Sequence, residues 1–101
     1  MEFFIGVGRY RLDTSACMSL KEKRRFIRSL LDRLGSSRLM AVSEVGNQDF
    51  WKSGCIGLAC VSQSHEMVVE TLEKARRMIE ASGIEVVRLE QWVLRPEDME
   101  A

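Results

Sequence analysis

The stretch Ser19 to Leu34, SLKEKRRFIRSLLDRL, narrows the possible folds of this chain more than any other. Leu20, Ile27, Leu31 and Leu34 recur at helical spacing within one arc, and Lys21, Arg25, Arg28 and Asp32 line a neighbouring flank. An apolar stripe beside a mostly basic one predicts an amphipathic helix, roughly 24 Å long, lying on a core. Ser19 with Glu22 three residues later has the spacing of a capping box, and Gly35 is placed to end the helix in the left-handed conformation.

The rest of the chain supplies what that helix lies on. Phe3 to Leu12 alternates as a strand, with Phe4, Gly6, Gly8, Tyr10 and Leu12 on one face and Phe3, Ile5, Val7, Arg9 and Arg11 on the other. A second strand is expected over Leu39 to Val45. A connection from Gly46 to Gly54 carries turn-forming Asn47 and Asp49 and two adjacent aromatics, Phe50 and Trp51. Cys55 to Ser62, apolar on both faces, reads as a central third strand. Ser64 can cap a second helix, His65 to Ser82, whose stripe is Val68, Thr71, Leu72, Ala75 and Ile79. Its surface offers the pairs Glu70–Lys74, Glu73–Arg77 and Arg76–Glu80, all four residues apart. Ile84 to Leu94 is the last strand, closed by Pro96, and Glu97 to Ala101 is expected to fray.

Strand, helix, strand, strand, helix, strand predicts an α+β ferredoxin-like βαββαβ sandwich, a four-stranded antiparallel sheet with both helices on one face. The expected organisation is one domain over residues 1–95 with an acidic tail at 96–101. If Leu12, Val87, Leu89 and Val93 face the helices, then Arg9, Arg11, Arg88, Glu90 and Trp92 face the open side.

Composition removes several classes of function. No run of eighteen apolar residues is present and the N-terminus lacks signal-peptide features, so no membrane partner and a cytoplasmic location are expected. Three cysteines, Cys17, Cys55 and Cys60, cannot all pair with one another and form no CxxC, which suits reduced thiols. The single histidine, His65, has no ligand-spaced neighbour, and Gly6-Val7-Gly8 lies inside a strand rather than before a helix. No metal, cofactor or catalytic residue is expected. Net charge is zero, but residues 1–39 hold nine Lys/Arg against four Asp/Glu, and the remainder six against eleven. Neutrality argues against strong non-specific attraction to a nucleic acid, no DNA partner is expected, and whether the polarity in sequence becomes polarity in space depends on the fold.

The runs Ser19-Leu20-Lys21-Glu22-Lys23-Arg24-Arg25 and Val42-Ser43-Glu44-Val45, followed by Gln48-Asp49-Phe50-Trp51, resemble the YlxP-like family of small bacterial proteins of unknown function. The resemblance reaches from the first strand to Leu94. It implies a ferredoxin-like fold and a bacterial protein often encoded near translation and ribosome-maturation factors and sometimes labelled a ribosome-binding factor. It brings no activity and no catalytic residue. The chain departs from the usual pattern at Gly46-Asn47, where an acidic residue and a histidine are common, and at Gly8, where a larger apolar residue is usual.

The candidate nucleic-acid contacts are Lys21, Lys23, Arg24, Arg25 and Arg28 on the first helix and Arg9, Arg11 and Arg88 on the open sheet. Such a cluster either grips phosphates or is solvated helix surface over which Lys23 and Arg24 lay their stems. The open face suits base stacking on Trp92 or, with Ile5, Val7, Trp92 and Trp51 as contacts, a homodimer. Its third strand lacks the aromatic run of an RNA-recognition sheet, which favours the dimer there. Glu44 and Asp49 are expected to cap turns and form ion pairs rather than to act as an acid–base pair. The first reading is a non-enzymatic accessory factor that binds RNA or a ribosomal particle. The alternative is a homo-oligomeric structural or small-ligand regulatory module.

Overall fold

The computed structural model describes residues 1–100. Its strands are β1 (Phe4–Asp13), β2 (Met40–Glu44), β3 (Ser53–Ser62) and β4 (Glu85–Leu94), and its helices α1 (Leu20–Gly35) and α2 (His65–Ala81). They form one antiparallel sheet in the order β2-β3-β1-β4. Each helix therefore joins two strands separated by a third, which is the ferredoxin-like arrangement. α1 packs over β2, and α2 over β1, β3 and β4.

Both helices begin as their sequences dictate. Ser19 Oγ accepts the Glu22 N–H at 3.1 Å and Ser64 Oγ accepts the Met67 N–H at 3.2 Å. The end of α1 differs from expectation and that of α2 does not. Gly35 stays helical and Ser36 closes α1 in a right-handed conformation, whereas α2 is followed by Gly83 at φ +82. The stripe expected for α2 is the one it buries. α1 instead buries Lys23, Ile27, Leu30 and Leu34, so its inner face is rotated away from Leu20 and Leu31, which are half-buried.

Tyr10, Leu12, Ile56, Leu58 and Cys60 bring the sheet's contribution to the core. Two glycines of β1 make that packing possible. A Cβ on Gly6 would stand 2.6 Å from Cys60 Sγ and 2.8 Å from Val68 Cγ1, so α2 reaches the sheet only because Gly6 has no side chain. A Cβ on Gly8 would stand 2.4 Å from the Tyr10 hydroxyl oxygen. Tyr10, fully buried, lays its ring across Gly8, and its hydroxyl accepts from Gln91 Nε2 at 2.8 Å. The small residue at position 8 and the large one at 10 thus share a single volume.

A β-bulge interrupts the ladder between β1 and β4. Leu12 pairs with Val86 and Arg11 with Arg88, leaving Val87 without a partner. Val87, expected on the helix side, is 58% exposed, and Val86 packs against the core in its place. Strict alternation fails there because one extra residue reverses the facing of everything beyond it. Pro96–Met99 forms a 3-10 turn, with the Arg95 N–H donating to Asp98 Oδ2 at 2.8 Å; Ala101, the end of the expected tail, lies outside the described residues.

Candidate functional site

The connection between β2 and β3 is held by buried side chains from elsewhere in the chain. Lys23 is fully buried, and its ammonium donates to the carbonyls of Asn47 at 2.5 Å and Phe50 at 2.6 Å. Glu44 Oε2, itself buried and without a hydrogen bond, lies 3.5 Å from that ammonium. Thr14 completes the attachment, donating from Oγ1 to the Trp51 carbonyl at 2.7 Å and from its N–H to the Lys52 carbonyl at 3.0 Å. A buried ammonium persists only when paired and hydrogen-bonded, and Lys23 is both. It therefore cannot meet a phosphate as the sequence reading expected, being the anchor of a loop instead. One signal could have revealed this: Lys23 falls on the stripe of Ile27, Leu30 and Leu34, at the same three- and four-residue spacing.

The remaining cations of α1 point outward. Lys21, Arg24, Arg25 and Arg28 are all exposed. Arg24 stands 3.4 Å from Asp49, a carboxylate almost wholly in solvent. Among the described residues, Lys21, Arg25 and Arg28 have no carboxylate within 4.0 Å. Their spacing of four and then three residues makes them one row along the helix. Beside it runs an open groove of about 430 Å³, lined by Arg24, Arg28, Asp32, Glu44 and Asp49 among others. Glu44 and Asp49 are thus committed to Lys23 and Arg24, and no group of three or more potential metal ligands occurs among the described residues.

Arg9, Arg11 and Arg88 lie on the open face, behind the sheet from the α1 row. The register puts Cys55, Arg11 and Arg88 side by side across β3, β1 and β4, and Gly57, Arg9 and Glu90 in the next row. Arg9 binds Glu90 at 2.9 Å and Arg88 reaches the same carboxylate at 3.4 Å. The Arg9 hydrogen bond holds the Glu90 carboxyl below the usual carboxylate range. Toward the other end the face turns apolar, with the rows Ala59, Val7, Trp92 and Val61, Ile5, Leu94. Arg9 also lies over the Trp92 ring, 5.4 Å from its centroid. Trp51 is not part of this face: it sits in the β2–β3 connection, half-buried, with the Lys52 ammonium 5.3 Å from its ring. The two basic groups of the sequence reading are therefore two surfaces, and one flat ligand cannot cover both.

All three cysteines are free thiols. Burial pushes the Cys60 and Cys17 thiols up from their ordinary value. His65 meets the Phe4 ring edge-on, with centroids 5.2 Å apart. Among the described residues, no helix is long and apolar enough to cross a membrane.

Comparison with known proteins places this architecture. A family described as "Protein of unknown function (DUF503)" matches residues 5–91. The uncharacterized protein YlxP of Bacillus subtilis (strain 168) is 33% identical over 63 residues, covering 62% of this chain and 68% of that protein. Among solved structures, the de novo designed protein Foldit4 matches with a TM-score of 0.57 at 16% identity, over 92% of this chain and 97% of its own. A VAO-type flavoprotein of Myceliophthora thermophila C1 matches with a TM-score of 0.57 at 17% identity, over 96% of this chain but 17% of its own. At such identities the two structures speak to the fold alone.

Proposed function

This chain belongs to the DUF503 family of proteins of unknown function, and we propose that it is a non-enzymatic accessory factor that binds RNA or a ribosomal particle through α1. The observation that carries this reading is the exposed row Lys21, Arg25 and Arg28, three cations with no carboxylate partner among the described residues. Arg24, paired only with a solvated Asp49, extends it. Exposed cations without internal partners are free to replace the counterions around a phosphodiester backbone. Neighbouring carboxylates already matched to Lys23 and Arg24 suit a binding surface better than an acid–base site.

The test is binding to purified ribosomal subunits and to total RNA across a salt series, with the wild type beside Lys21→Glu/Arg25→Glu/Arg28→Glu. Salt-sensitive binding is expected, with a log–log slope of about −2 for three single-strand phosphate contacts, lost in the reversed variant at unchanged thermal stability. Failure to bind at low salt, or binding indifferent to the reversals, would overturn it.

A second reading rests on the apolar end of the open face, where Val61 is 60% and Trp92 39% exposed beside Val7 and Ile5. A second copy of this chain laid on these rows would cover them while keeping the two arginine clusters apart. Sedimentation equilibrium of the wild type and Val7→Arg checks it: a dimer broken by the substitution is the expected result, and a wild-type monomer at high concentration refutes it.

A further inference from the structure

We propose that the hollow at the basic end of the open sheet face binds a phosphate group, through Arg9, Arg11 and Arg88. The site lies behind the sheet from the α1 row and stands whether or not α1 binds RNA.

Register is the first argument. Arg11 and Arg88 are direct cross-strand neighbours on β1 and β4. Like charges directly opposite one another in a sheet are destabilising. Nothing within the described residues relieves this pair fully. Glu90 is the only carboxylate in the hollow; it is engaged by Arg9 at 2.9 Å and reached by Arg88 at 3.4 Å, while Arg11 has no carboxylate within 4.0 Å. Three guanidiniums around one carboxylate leave an excess of two positive charges, which matches a phosphate monoester dianion.

Shape is the second argument. Arg9, Arg11, Arg88, Glu90 and Cys55 enclose a hollow of about 230 Å³. That is smaller than the roughly 300–1,000 Å³ of a drug-sized site and suits one small oxyanion with part of its ester. The rim is built by the fold: Cys55, the β3 neighbour of Arg11, has a small side chain that leaves the space beside that guanidinium open, while in the next row the Val45 side chain lies over Gly57. The bulge at Val87 lies immediately beside Arg88 and sets where its side chain emerges. Glu90 acts as a positioning residue, orienting two of the three forks, and its depressed carboxyl pKa keeps it charged while it does so. Guanidinium is the appropriate group here, because its planar fork offers paired donors to phosphate oxygens.

The phosphate could come from a small phosphorylated metabolite or from the backbone or terminus of an RNA. Thermal melting and Trp92 emission together test the proposal. In a Trp51→Phe background Trp92 is the sole tryptophan, and it lies under Arg9. Inorganic phosphate and pyrophosphate are titrated at constant ionic strength, adjusted with chloride. A saturable change in Trp92 emission and a rise of several degrees in melting temperature are expected. In Arg11→Gln and Arg88→Gln the affinity falls at least tenfold. Without ligand those two variants melt at or above the wild-type temperature, because the repulsion is gone, so loss of binding cannot be loss of fold. Lys21→Glu/Arg25→Glu/Arg28→Glu binds phosphate as the wild type does, which separates this site from the α1 surface. Competition by a 5′-phosphorylated oligoribonucleotide but not its 5′-hydroxyl counterpart assigns a terminal phosphate, and competition by both assigns the backbone. Competition by neither, with binding of phosphate retained, assigns a small molecule. Emission and melting curves that follow ionic strength alone, or full binding in Arg11→Gln, would overturn the proposal.

Discussion

α1 and α2 lie on the same face of the same sheet and begin with the same device, a serine hydroxyl accepting the N–H three residues on, yet their outer surfaces are unlike. α1 carries six Lys/Arg against two Asp/Glu, and α2 three against four. The disposition of those charges differs more than their number. In α2, Arg76 bridges Glu73 and Glu80, and Arg77 approaches Glu73 at 4.0 Å, so both arginines are consumed within the helix. In α1, Lys21, Arg25 and Arg28 stand free, and the one lysine that is consumed, Lys23, is turned inward to hold a loop. Among the described residues Lys74 is the one α2 cation with no carboxylate within 4.0 Å, the expected Glu70–Lys74 pair not forming, so α2 leaves little charge unmatched. The α1 row keeps a charge that something outside the helix can meet.

Truncating each helix's paired cation breaks this comparison most sharply. Lys23→Ala leaves the buried Glu44 Oε2 without its counter-charge and two loop carbonyls without their donor, and should cost about 3–5 kcal/mol, read as a lowered denaturant midpoint with loss of amide protection in residues 46–52. Arg76→Ala, whose partners are in solvent, should cost less than about 1 kcal/mol. Near-equal losses would show that Lys23 is not the anchor described.

Helix entry gives the next largest effect, and it should not discriminate. Ser19→Ala and Ser64→Ala each remove one cap bond, and each should cost about 1 kcal/mol by denaturant unfolding. A much larger loss at Ser19 would mean that α1 nucleates less independently than α2.

Acid should separate the two helices again. The hydrogen bond from Arg76 holds the Glu73 carboxyl below its ordinary range. A carboxyl whose folded pKa is depressed adds stability that is complete above the ordinary carboxylate value and is lost as pH falls through the folded one. Protection of α2 amides should therefore decline through that acidic window in the wild type and be flat in Glu73→Gln. The free row of α1 has no carboxylate to titrate, and Arg25→Gln should change neither stability beyond about 0.5 kcal/mol nor its pH dependence. A titration of Glu73 in the ordinary range, followed by carboxyl NMR, would remove the contrast.

Sequence periodicity carried the fold a long way. The element order and the stripe of α2 follow from spacing alone, because a sandwich of this kind is built from contacts that repeat every two or 3.6 residues. It carried the site less far, and in particular places. The row Lys21, Arg25, Arg28 is legible because one helix contains all of it. The anchoring role of Lys23 is not legible in sequence because its acceptors, Asn47 and Phe50, are 24 and 27 residues away, and a lysine among basic residues looks like surface. Val87 was misassigned because a bulge has no periodic signature of its own.

What the sequence determined by itself is therefore the set of elements, the serine caps that start both helices, the apolar face that α2 buries and the family to which the chain belongs. All of these rest on local spacing or on residue identity. The tertiary structure alone decided that Gly8 makes room for Tyr10, and that Lys23 is an anchor and not a contact. It also set Arg11 against Arg88. Each of these depends on which strands become neighbours and in what register, a property of the assembled sheet that no single segment carries.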